Sequence, residues 1–512
     1  MSDLVRIELR PLARTIEVER GTPLRDVLYE YGVEFPCGGR GRCRRCAIKA
    51  VEGELSITPD QEAILPASEL AEGWRLGCRS RAEADVTLQV AEWAAPVLVD
   101  HSTFAFTPRP GFGVAVDLGT TTLVAQLLDL GTGRVLAVQT ALNPQAAYGS
   151  DVMSRIQFGL EDQGHAKLTD LIRRSIGDLI SRLLASVKLA EAAPSSVVVV
   201  GNTTMHHLFC GIDLEPLSRH PFETSRDGLQ EFEAAELGWA LPGASRVCFL
   251  PCLGGFVGSD ILAGLLATKM HESDALLALI DLGTNGEIVL GDRRRMLCAS
   301  TAAGPAFEAG GIRMGMQATS GAISEVSVDG SGLRCRVLGE GPARGICGSG
   351  LVDAVAAGLE LGWIEPSGRM GVAGKEFDLE PPVTLGQMDI RQLQLAKGAI
   401  AAGVRILLER WGAQASDVER VYLAGAFGNY VSRASARRIG LLDFAEERVE
   451  SAGNTALLGA KLALFGDESE AGGLEGIRDR VEHLSLAADR SFQEVFIAEM
   501  AFPPPRGECE EV

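Results

Sequence analysis

Long apolar segments are missing from this 512-residue chain, in which no run of about 18 apolar residues occurs. Because a helix needs about 20 such residues to cross a bilayer, the sequence predicts no membrane span. The N-terminal residues alternate polar and apolar side chains instead of forming a signal sequence. A cytoplasmic location is therefore expected.

Basic residues are scarce relative to acidic ones, with 48 Lys and Arg against 68 Asp and Glu and a net charge of −20. The phosphate backbone of a nucleic acid would repel most of such a surface, so nucleic-acid binding is not expected. Hydrophobic residues make up 46% of the chain, which suffices for large buried cores. The length has room for about three domains.

A second cluster of closely spaced cysteines is also lacking. Seven of the 11 cysteines have no C-x-x-C partner, namely Cys210, Cys248, Cys252, Cys298, Cys335, Cys347 and Cys509. Most are flanked by apolar residues or glycine, so we expect buried thiols, which suit a reducing compartment. The sequence therefore predicts no second metal cluster.

The other four cysteines form a pattern, C-x5-C-x2-C with a distant fourth. They are Cys37, Cys43, Cys46 and Cys78. Three thiolates in one Gly- and Arg-rich loop can converge on an inorganic core while a distant segment supplies the fourth, as in plant-type [2Fe–2S] ferredoxins. A structural zinc site is the alternative, although zinc ribbons usually present two C-x2-C pairs.

The flanking residues predict a small mixed fold around this loop. Residues 5–9 and 15–19 alternate as half-buried strands do, and apolar residues at helical spacing follow Thr22-Pro23. Two later strands, CAIKAV and DVTLQV, complete a β-grasp ferredoxin domain.

Positive charge surrounds the predicted cluster loop, with Arg40, Arg42, Arg44, Arg45 and Lys49 close in sequence. These cations either offset the negative charge of a bound cluster or also dock an acidic redox partner. Both explanations stay open at this point.

Two segments of the chain share one pattern. Residues 113–140 and 276–301 each hold an apolar strand, the sequence Asp-Leu-Gly-Thr, a second strand, a tight turn and a third strand. A single copy also occurs in ordinary hairpins, but two copies in matched contexts indicate two similar lobes facing each other across a cleft.

The residues of this repeat suit phosphate binding. Glycine lets the main chain approach a phosphate, and N–H groups and hydroxyls donate to its oxygens. The predicted phosphate-binding residues are Gly119, Thr120, Thr121 and Thr122, then Gly283, Thr284, Asn285 and Gly286. Asp117 and Asp281 at the strand ends are predicted to hold Mg²⁺ and orient a water, and Glu287 is a further candidate unless it only faces solvent.

Two other glycine-containing turns are expected at the cleft. In ERVYLAGAFGN, residues Gly425, Ala426 and Phe427 are predicted to flank an adenosine. In ICGSGLVDAV, Gly348 and Gly350 open a helix whose N-terminus suits an anion, although close helix packing would explain the same glycines.

GNTTMHHLF at 201–209 has the character of another turn-to-helix junction beside the cleft. His206 and His207 have no second set of metal ligands nearby in the sequence. We therefore expect them to pack in the protein or to face solvent rather than bind a metal.

Together these elements resemble the ASKHA superfamily, which includes acetate and sugar kinases and actin. The resemblance narrows when the cysteine motif is joined to DLGTTT, NPQAAYGSDVMSRI, GNTTMHHL, DLGTNGE, GICGSGLVD, LAGAFGN and the late FQEVFIAEMAFP. Over nearly the whole chain, this combination resembles the reductive activators of corrinoid proteins. Some members carry an extra domain between the ferredoxin and ATPase parts, whereas only residues 91–112 separate them here.

The resemblance implies an α/β fold. It divides the chain into a β-grasp ferredoxin domain at 1–90, a linker at 91–112, an ASKHA-type ATPase at 113–466 with lobes 113–273 and 274–466, and a C-terminal segment at 467–512.

The resemblance also implies a function. A [2Fe–2S] cluster would pass one electron to the inactive Co(II) form of a corrinoid protein from a methyltransferase system, coupled to hydrolysis of ATP with Mg²⁺. An upstream low-potential electron donor is implied, and a homodimer, which some members form, is left open. Two alternatives remain, a small-molecule kinase with a redox-sensing cluster and a non-enzymatic redox-sensing scaffold.

Overall fold

The computed structural model describes residues 4–10, 14–28, 31, 33, 41, 46–90, 106–189, 193–241, 243–283, 285–339, 341–371, 375–466 and 471–504. Three predicted site residues, Cys37, Cys43 and Thr284, lie outside these ranges, as do the four arginines of the cluster loop. In the described ranges, no helix combines the length and the apolar character needed to cross a membrane.

The N-terminal unit is a five-stranded sheet in the order β2-β1-β7-β4-β5. Its elements are β1 (Leu4–Arg10), β2 (Arg14–Glu19), β3 (Thr22–Pro23), α1 (Arg25–Leu28), β4 (Ala47–Glu52), α2 (Pro59–Glu62), α3 (Ala67–Ala71), β5 (Trp74–Leu76), β6 (Arg81–Ala82) and β7 (Val86–Gln89). The alternation seen in the sequence buries Val5, Ile7 and Leu9 on one face of β1, where they pack with Leu28 of α1.

The first lobe contains a six-stranded sheet in the order β10-β9-β8-β11-β13-β12. Its elements are β8 (Phe112–Leu118), β9 (Thr122–Asp129), β10 (Val135–Leu142), α4 (Val152–Gly159), α5 (Gly164–Ser186), β11 (Ser196–Gly201), α6 (Thr203–Cys210), α7 (Glu215–Ser218), β12 (Gln230–Glu233), β13 (Arg246–Phe249) and α8 (Ser259–Thr268).

The second lobe contains a six-stranded sheet in the order β23-β22-β14-β15-β16-β24. Its strands are β14 (Leu277–Leu282), β15 (Gly286–Gly291), β16 (Met296–Thr301), β17 (Ala322–Asp329), β18 (Gly332–Val337), β19 (Gly345–Ile346), β20 (Glu376–Asp378), β21 (Thr384–Gly386), β22 (Arg420–Ala424), β23 (Val449–Gly453) and β24 (Val481–His483). Its helices are α9 (Gly348–Glu360), α10 (Gln387–Trp411), α11 (Gly425–Tyr430), α12 (Arg433–Arg438), α13 (Thr455–Phe465), α14 (Ala471–Arg478) and α15 (Phe492–Glu499).

The two large sheets share the arrangement of five of their six strands. In each, three consecutive antiparallel strands (β8–β10 and β14–β16) are extended by two later strands that run parallel to the first of the three (β11 and β13; β22 and β23). The first strands, β8 and β14, are buried on both faces, which explains their apolar runs GVAV and LALI. The α/β prediction is confirmed, and the repeated motif occupies the same place in both sheets.

Two helices cross between the lobes. Ala456, Leu457, Ala460 and Leu464 of α13 pack on the first-lobe sheet, while Leu262 and Leu265 of α8 pack with β14 of the second lobe. At the crossing, a Cβ added to Gly459 would lie 2.0 Å from the carbonyl oxygen of Ala263. The sequence assigned α13 to the second lobe, because helix order along the chain does not reveal on which sheet a helix packs.

The segment after residue 466 also extends the second lobe. β24 pairs in parallel with β16, and the Lys397 ammonium of α10 donates to the carbonyl of Ala501 at 2.8 Å. The predicted ATPase boundary at 466 therefore excluded a strand of its own sheet. β24 is only three residues long, which is too short for a periodic sequence signal.

Candidate cluster and phosphate sites

Two of the predicted cluster ligands meet in the N-terminal unit. Cys46 is buried directly before β4, and Cys78 lies in the 3₁₀ turn that follows β5. Because β4 and β5 pair with Ala47 opposite Leu76, the sulfur atoms lie 3.3 Å apart. Two thiols facing one point suit a shared metal centre, and the other two predicted ligands lie outside the described residues.

A cavity of about 210 Å³ lies where the two repeated hairpins face each other. It is lined by Asp117, Gly119, Thr120, Thr121, Thr122, Val124, Asn202, Asp260, Asp281, Gly283, Asn285, Glu287, Glu308, Gly425, Asn454 and Ala456. The structure therefore brings together both aspartates, Glu287 and most of the predicted phosphate-binding residues. Gly286 lies at the start of β15, where an added Cβ would lie 1.8 Å from the Ile400 side chain. Close packing against Ile400 therefore requires glycine at this position.

The first of the two predicted phosphate loops, residues 118–122, is held by hydrogen bonds to three consecutive carbonyls. The side-chain amide of Asn143 donates to Gly119 O at 2.9 Å, and its main-chain N–H donates to Thr121 O at 2.8 Å. The fully buried guanidinium of Arg155 donates to Thr120 O. C=O and N–H point in opposite directions across a trans peptide, so the amides of Thr120, Thr121 and Thr122 are directed away from these donors.

Two asparagines fix the side chains of the same loop. The amide of Asn202 donates to the hydroxyl of Thr120 at 2.8 Å, and the amide of Asn454 donates to the carboxylate of Asp117 at 2.9 Å. Each asparagine also caps a helix, α6 or α13, by accepting from the main-chain N–H three residues on. Because each amide uses both its oxygen and its nitrogen, the helix start and the loop are locked together.

Two carboxyl groups lie side by side at the second loop. Asp281 of β14 lies directly opposite Glu287 of β15, so both carboxylates occupy the same face of the sheet. Glu287 is 8% exposed and accepts from the Ser300 hydroxyl at 3.4 Å. The alternative that Glu287 only faces solvent is wrong, because its strand is covered on both faces.

Four of the carboxyl groups that line the cavity are Glu287, which is buried, and the half-buried Asp117, Asp260 and Asp281, and loss of solvation is the main cause of their raised pKa values. Burial raises the pKa of Asp117 to about 6, against the hydrogen bond from Asn454, which lowers it. Burial and then the charge of Asp117 raise the pKa of Asp281 to about 7. Burial and then Asp281 raise the pKa of Asp260 to about 8, and Glu287 is raised well above its usual value by burial and then Asp260. These groups accept a cation readily, because a positive charge would relieve their mutual repulsion.

The donor set suits Mg²⁺ bound to a phosphate. Within the described ranges, no three His, Cys, Asp or Glu side chains are close enough to hold a metal by themselves. Mg²⁺ usually takes one or two carboxylates and completes its shell with water and substrate phosphates. The N-termini of α8, where Asp260 lies, and α13 also point their partial positive charge at this cavity.

The three residues predicted to flank an adenosine have different surroundings in the structure. Gly425 lines the cavity with φ +80°, and a Cβ there would lie 2.5 Å from Oδ1 of Asp281. Phe427 is buried and stacks on Phe307 with ring centres 4.6 Å apart. Of Ala426, the structure describes only its place in α11.

Gly348 and Gly350 do not line the cavity. An added Cβ at Gly348 would lie 1.7 Å from Phe307 O, and one at Gly350 would lie 2.3 Å from Ile323 O. Close packing at the start of α9 thus explains both glycines. Helix packing was the alternative to anion binding that the sequence left open. Their role in nucleotide binding stays a prediction.

The two histidines are both buried in α6. His206 contacts the carbonyl of Gly228 at 3.1 Å, and His207 contacts the carbonyl of Thr203 at 2.9 Å. Burial lowers the pKa of His206 to about 3 and that of His207 to about 4. Both side chains pack, as expected from the sequence.

Asp260, Asn202, Asn454 and Glu308 line the cavity but were missed in the sequence. A signal existed for the asparagines, because Gly-Asn-Thr occurs at 201–203 and again at 453–455, each time between a strand and a helix. No comparable signal marks Asp260, which reaches the cavity only because α8 crosses between the lobes.

Three family profiles match successive parts of the chain. Residues 7–83 match the 2Fe-2S iron-sulfur cluster binding domain, residues 112–273 match the RACo middle region, and residues 275–510 match the C-terminal domain of RACo, the ASKHA domain. The first match favours the [2Fe–2S] interpretation of the four cysteines over zinc.

Similar proteins are known by name. The corrinoid activation enzyme RamQ of Eubacterium limosum is 35% identical over 423 residues, which cover 77% of this chain and 71% of RamQ. The [Co(II) methylated amine-specific corrinoid protein] reductase of Methanosarcina barkeri is 28% identical over 420 residues, covering 76% of this chain and 77% of the reductase. A solved reductive activator for corrinoid, iron-sulfur protein superposes with a TM-score of 0.69 at 26% identity and covers 98% of both chains.

Proposed function

This chain belongs to the family of reductive activators of corrinoid proteins, and we propose that it returns the Co(II) form of a corrinoid protein to Co(I) at the expense of ATP. One electron is taken from a low-potential donor and given to Co(II), while water cleaves ATP to ADP and phosphate. The proposal rests on one observation: the same chain contains a ferredoxin fold with two facing thiols and a cavity between two copies of a predicted phosphate loop.

ATP has a thermodynamic role in this proposal. A one-electron donor that falls ~200 mV short of the Co(II)/Co(I) couple faces a deficit of roughly 5 kcal/mol. ATP binding and hydrolysis offset such a deficit when they favour one conformation of the protein complex over another. The two lobes, joined by crossing helices, provide a cleft that can open and close.

In the N-terminal unit, Cys37, Cys43, Cys46 and Cys78 would hold the [2Fe–2S] cluster, which supplies a one-electron carrier when bound. Cys46 and Cys78 fit this role because their sulfur atoms face each other at 3.3 Å. The apolar side chains of Leu24, Leu28 and Leu76 belong to the hydrophobic cluster that contains Cys46 and against which Cys78 packs.

In the cavity, the amides and hydroxyls of Thr120, Thr121 and Thr122 would bind phosphate oxygens, with the second loop facing them. Two carboxylates among Asp117, Asp260 and Asp281 would hold Mg²⁺ together with the phosphates. Glu287, buried against Asp281, would orient the attacking water and take its proton.

Three further points extend the proposal. The electron donor upstream is a low-potential one-electron carrier, because the cluster must be re-reduced after each turnover. We place the protein in the cytoplasm, since its buried thiols Cys252, Cys298 and Cys347 suit a reducing compartment. A homodimer stays a prediction.

The test is anaerobic reduction of a Co(II) corrinoid protein. The purified protein, a chemical reductant and a Co(II) corrinoid protein are mixed, and Co(I) absorption is followed with ATP, with ADP and without nucleotide. We expect Co(I) to appear with ATP only. Cys78→Ser should abolish Co(I) formation but retain ATP hydrolysis, because the thiol lies outside the cavity.

Two results would contradict the proposal. Equal Co(I) formation without nucleotide would remove the role of ATP. ATP hydrolysis with no Co(I), found with several corrinoid proteins, would indicate that the electron acceptor or the reaction is a different one.

A further inference from the structure

One segment of the first lobe touches both the phosphate loop and the ferredoxin unit. Residues 142–155, here called the bridging segment, run from the end of β10 through a 3₁₀ turn into α4.

On the cavity side, the bridging segment determines where the first loop points. Asn143 and Arg155 hold the carbonyls of Gly119, Thr120 and Thr121, and no side chain of the loop takes part in these contacts. The matching amides of residues 120–122 are the donors aimed at a phosphate. A shift of the bridging segment therefore turns the phosphate-binding amides, because each peptide unit is planar and rigid.

Inside the bridging segment the contacts continue without a gap. Arg155 also donates to Gly149 O at 2.8 Å and to the side-chain oxygen of Gln145 at 3.3 Å. Gln145 in turn donates to Leu168 O of α5 at 3.0 Å. Arg155, Gln145 and Asn143 are all fully buried, so they form one packed, hydrogen-bonded unit.

On the opposite side, the bridging segment packs against the ferredoxin unit. Leu142 belongs to the hydrophobic core of that unit, and Ala146 packs against it. The Tyr148 hydroxyl donates to Asp26 at 3.4 Å, and the Arg25 guanidinium lies 5.3 Å from the centre of the Tyr148 ring. Lys167 of the first lobe lies 4.3 Å from the same ring.

The ferredoxin residues in this contact lead to the thiols. Asp26 and Arg25 lie on α1, whose Leu28 is in the same core cluster as Cys46. A Cβ added to Gly77, the neighbour of Cys78, would lie 3.7 Å from the Leu28 side chain. The helix that Tyr148 contacts is thus the helix that packs under the cysteine turn.

We propose that the bridging segment couples the nucleotide site to the cluster site, with Tyr148 and Arg155 as positioning residues. Phosphate binding to residues 120–122 shifts the segment, and Tyr148 passes that shift to α1. By thermodynamic reciprocity, reduction of the cluster then changes nucleotide affinity by the same factor as the nucleotide changes the reduction equilibrium. This inference rests on the proposed function, because it requires both a nucleotide and a cluster.

The test measures both directions of the coupling in the full-length holoprotein. The affinity for the non-hydrolysable analogue β,γ-imido-ATP with Mg²⁺ is measured for oxidised and reduced protein. The midpoint potential and the EPR spectrum of the cluster are measured with and without the analogue. For the parent protein we expect a ratio of affinities of roughly fivefold, and a potential shift that matches it at 59 mV per factor of ten.

Variants then locate the coupling. Tyr148→Ala should bring the ratio of affinities close to one and make the EPR spectrum independent of nucleotide. Tyr148→Phe removes the donating hydroxyl, and Asp26→Asn replaces the charged acceptor by a neutral amide. Both preserve the packing and should lower the ratio by about half on a logarithmic scale. Asp170→Asn is the matched control, because it breaks the exposed Asp170–Arg174 ion pair of the same lobe, which is not part of the bridging segment.

The outcomes separate two failures. A parent protein that binds no nucleotide would overturn the proposed function together with the coupling. Nucleotide binding with a ratio near one in the parent, or with the parent's ratio and EPR response intact in Tyr148→Ala, would overturn the coupling alone. If Tyr148→Ala lacks its cluster, Tyr148→Phe and Asp26→Asn decide the question.

Discussion

The two copies of the phosphate loop share a sequence but not an environment. Asn143, Arg155, Asn202 and Asn454 all donate to the first copy, between Asp117 and Thr121. In the described part of the second copy, the contacts run within its own hairpin, from Gly283 N to Asn285 O and from Thr301 to Gly286 O. Four residues thus donate hydrogen bonds to the first copy, whereas the carboxyl groups of Asp260, Asp281 and Glu287 line the cavity beside the second.

The difference indicates a division of work between the copies. A loop held at its carbonyls presents fixed amide donors, which suits binding of phosphate. A loop surrounded by Asp260, Asp281 and Glu287 has groups that bind a cation and accept a proton. The duplicated motif therefore accounts for the shape of the cavity, and the residues around each copy account for its chemistry.

The sharpest test of this division compares the two aspartates. Asp281→Asn should lower kcat for ATP hydrolysis by roughly 10²–10³-fold, as expected when one preorganised electrostatic group at the reacting centre is lost. Asp117→Asn should lower kcat by roughly tenfold only. The new asparagine oxygen can still accept the hydrogen bond from Asn454, so the side chain stays in place. Steady-state hydrolysis assays with Asp170→Asn as control measure both effects. Equal losses would break the comparison.

Because Arg155 anchors the first loop, replacing this residue should make the protein less stable. Arg155→Met should reduce the free energy of unfolding by about 3 kcal/mol, because the carbonyls of Thr120 and Gly149 lose a fully buried, charged donor. It should also raise KM for ATP. Arg405→Met, which removes exposed ion pairs to Glu409 and Glu499, should change stability by less than about 1 kcal/mol.

Urea unfolding of both variants provides the measurement. A small effect of Arg155→Met would mean that water replaces the guanidinium, and that the first loop is no more firmly held than the second.

The third test uses the close approach of the main chain at Gly425 to the carboxylate of Asp281. Gly425 and Gly412 have φ of +80° and +83°, so alanine costs about 1–2 kcal/mol of strain at either position. Only at Gly425 would the new Cβ meet Oδ1 of Asp281, at 2.5 Å, whereas nothing lies within 4 Å at Gly412. Gly425→Ala should therefore lower the hydrolysis rate by roughly tenfold, and Gly412→Ala should leave it unchanged. Similar rates in the two variants would show that Asp281 is displaced without consequence.

The smallest expected effect is on the pH dependence of stability. Asp117, Asp281 and Asp260 have raised pKa values of about 6, 7 and 8, so the folded chain binds protons more tightly than the unfolded chain. Stability of the nucleotide-free protein should therefore fall as the pH rises from about 4 towards 8. Mg²⁺ with nucleotide should stabilise the protein more at pH 8 than at pH 6, because protons then compete less for the carboxylates.

Thermal unfolding between pH 5.5 and 8.5, with and without Mg²⁺ and nucleotide, checks this dependence. Asp260→Asn should flatten the profile of the nucleotide-free protein. A profile that is unchanged in this variant would contradict the assignment of a raised pKa to Asp260.

Local patterns in the sequence carried much of the fold. Alternation predicted β1 and β2, the apolar runs predicted β8 and β14, and the Asp-Leu-Gly-Thr repeat predicted two lobes and the loops between them. Residues that act within a few positions of these patterns, such as Asp117 and Asp281, were accessible in the same way. Asp260 was not, because a single acid at the start of an apolar helix looks like an ordinary helix start.

Two observations show why the remainder required tertiary structure. Asn454 donates to Asp117 across 337 positions of the chain, and Arg155 reaches Thr120 only after the chain has turned back through the bridging segment. No periodicity links such residues, since each lies in an element that is locally complete.

By itself, the sequence determined the classes of structure and chemistry: an N-terminal ferredoxin with four cysteines, two matched hairpins and an acidic chain without apolar spans. Those properties depend on residue type and short spacing. Only the tertiary structure decided that α8 and α13 pack between the lobes, that five acidic residues line one cavity and that Tyr148 contacts the ferredoxin helix. The reason is that these contacts follow from the packing of preformed elements, and packing depends on the shapes of surfaces that are distant along the chain.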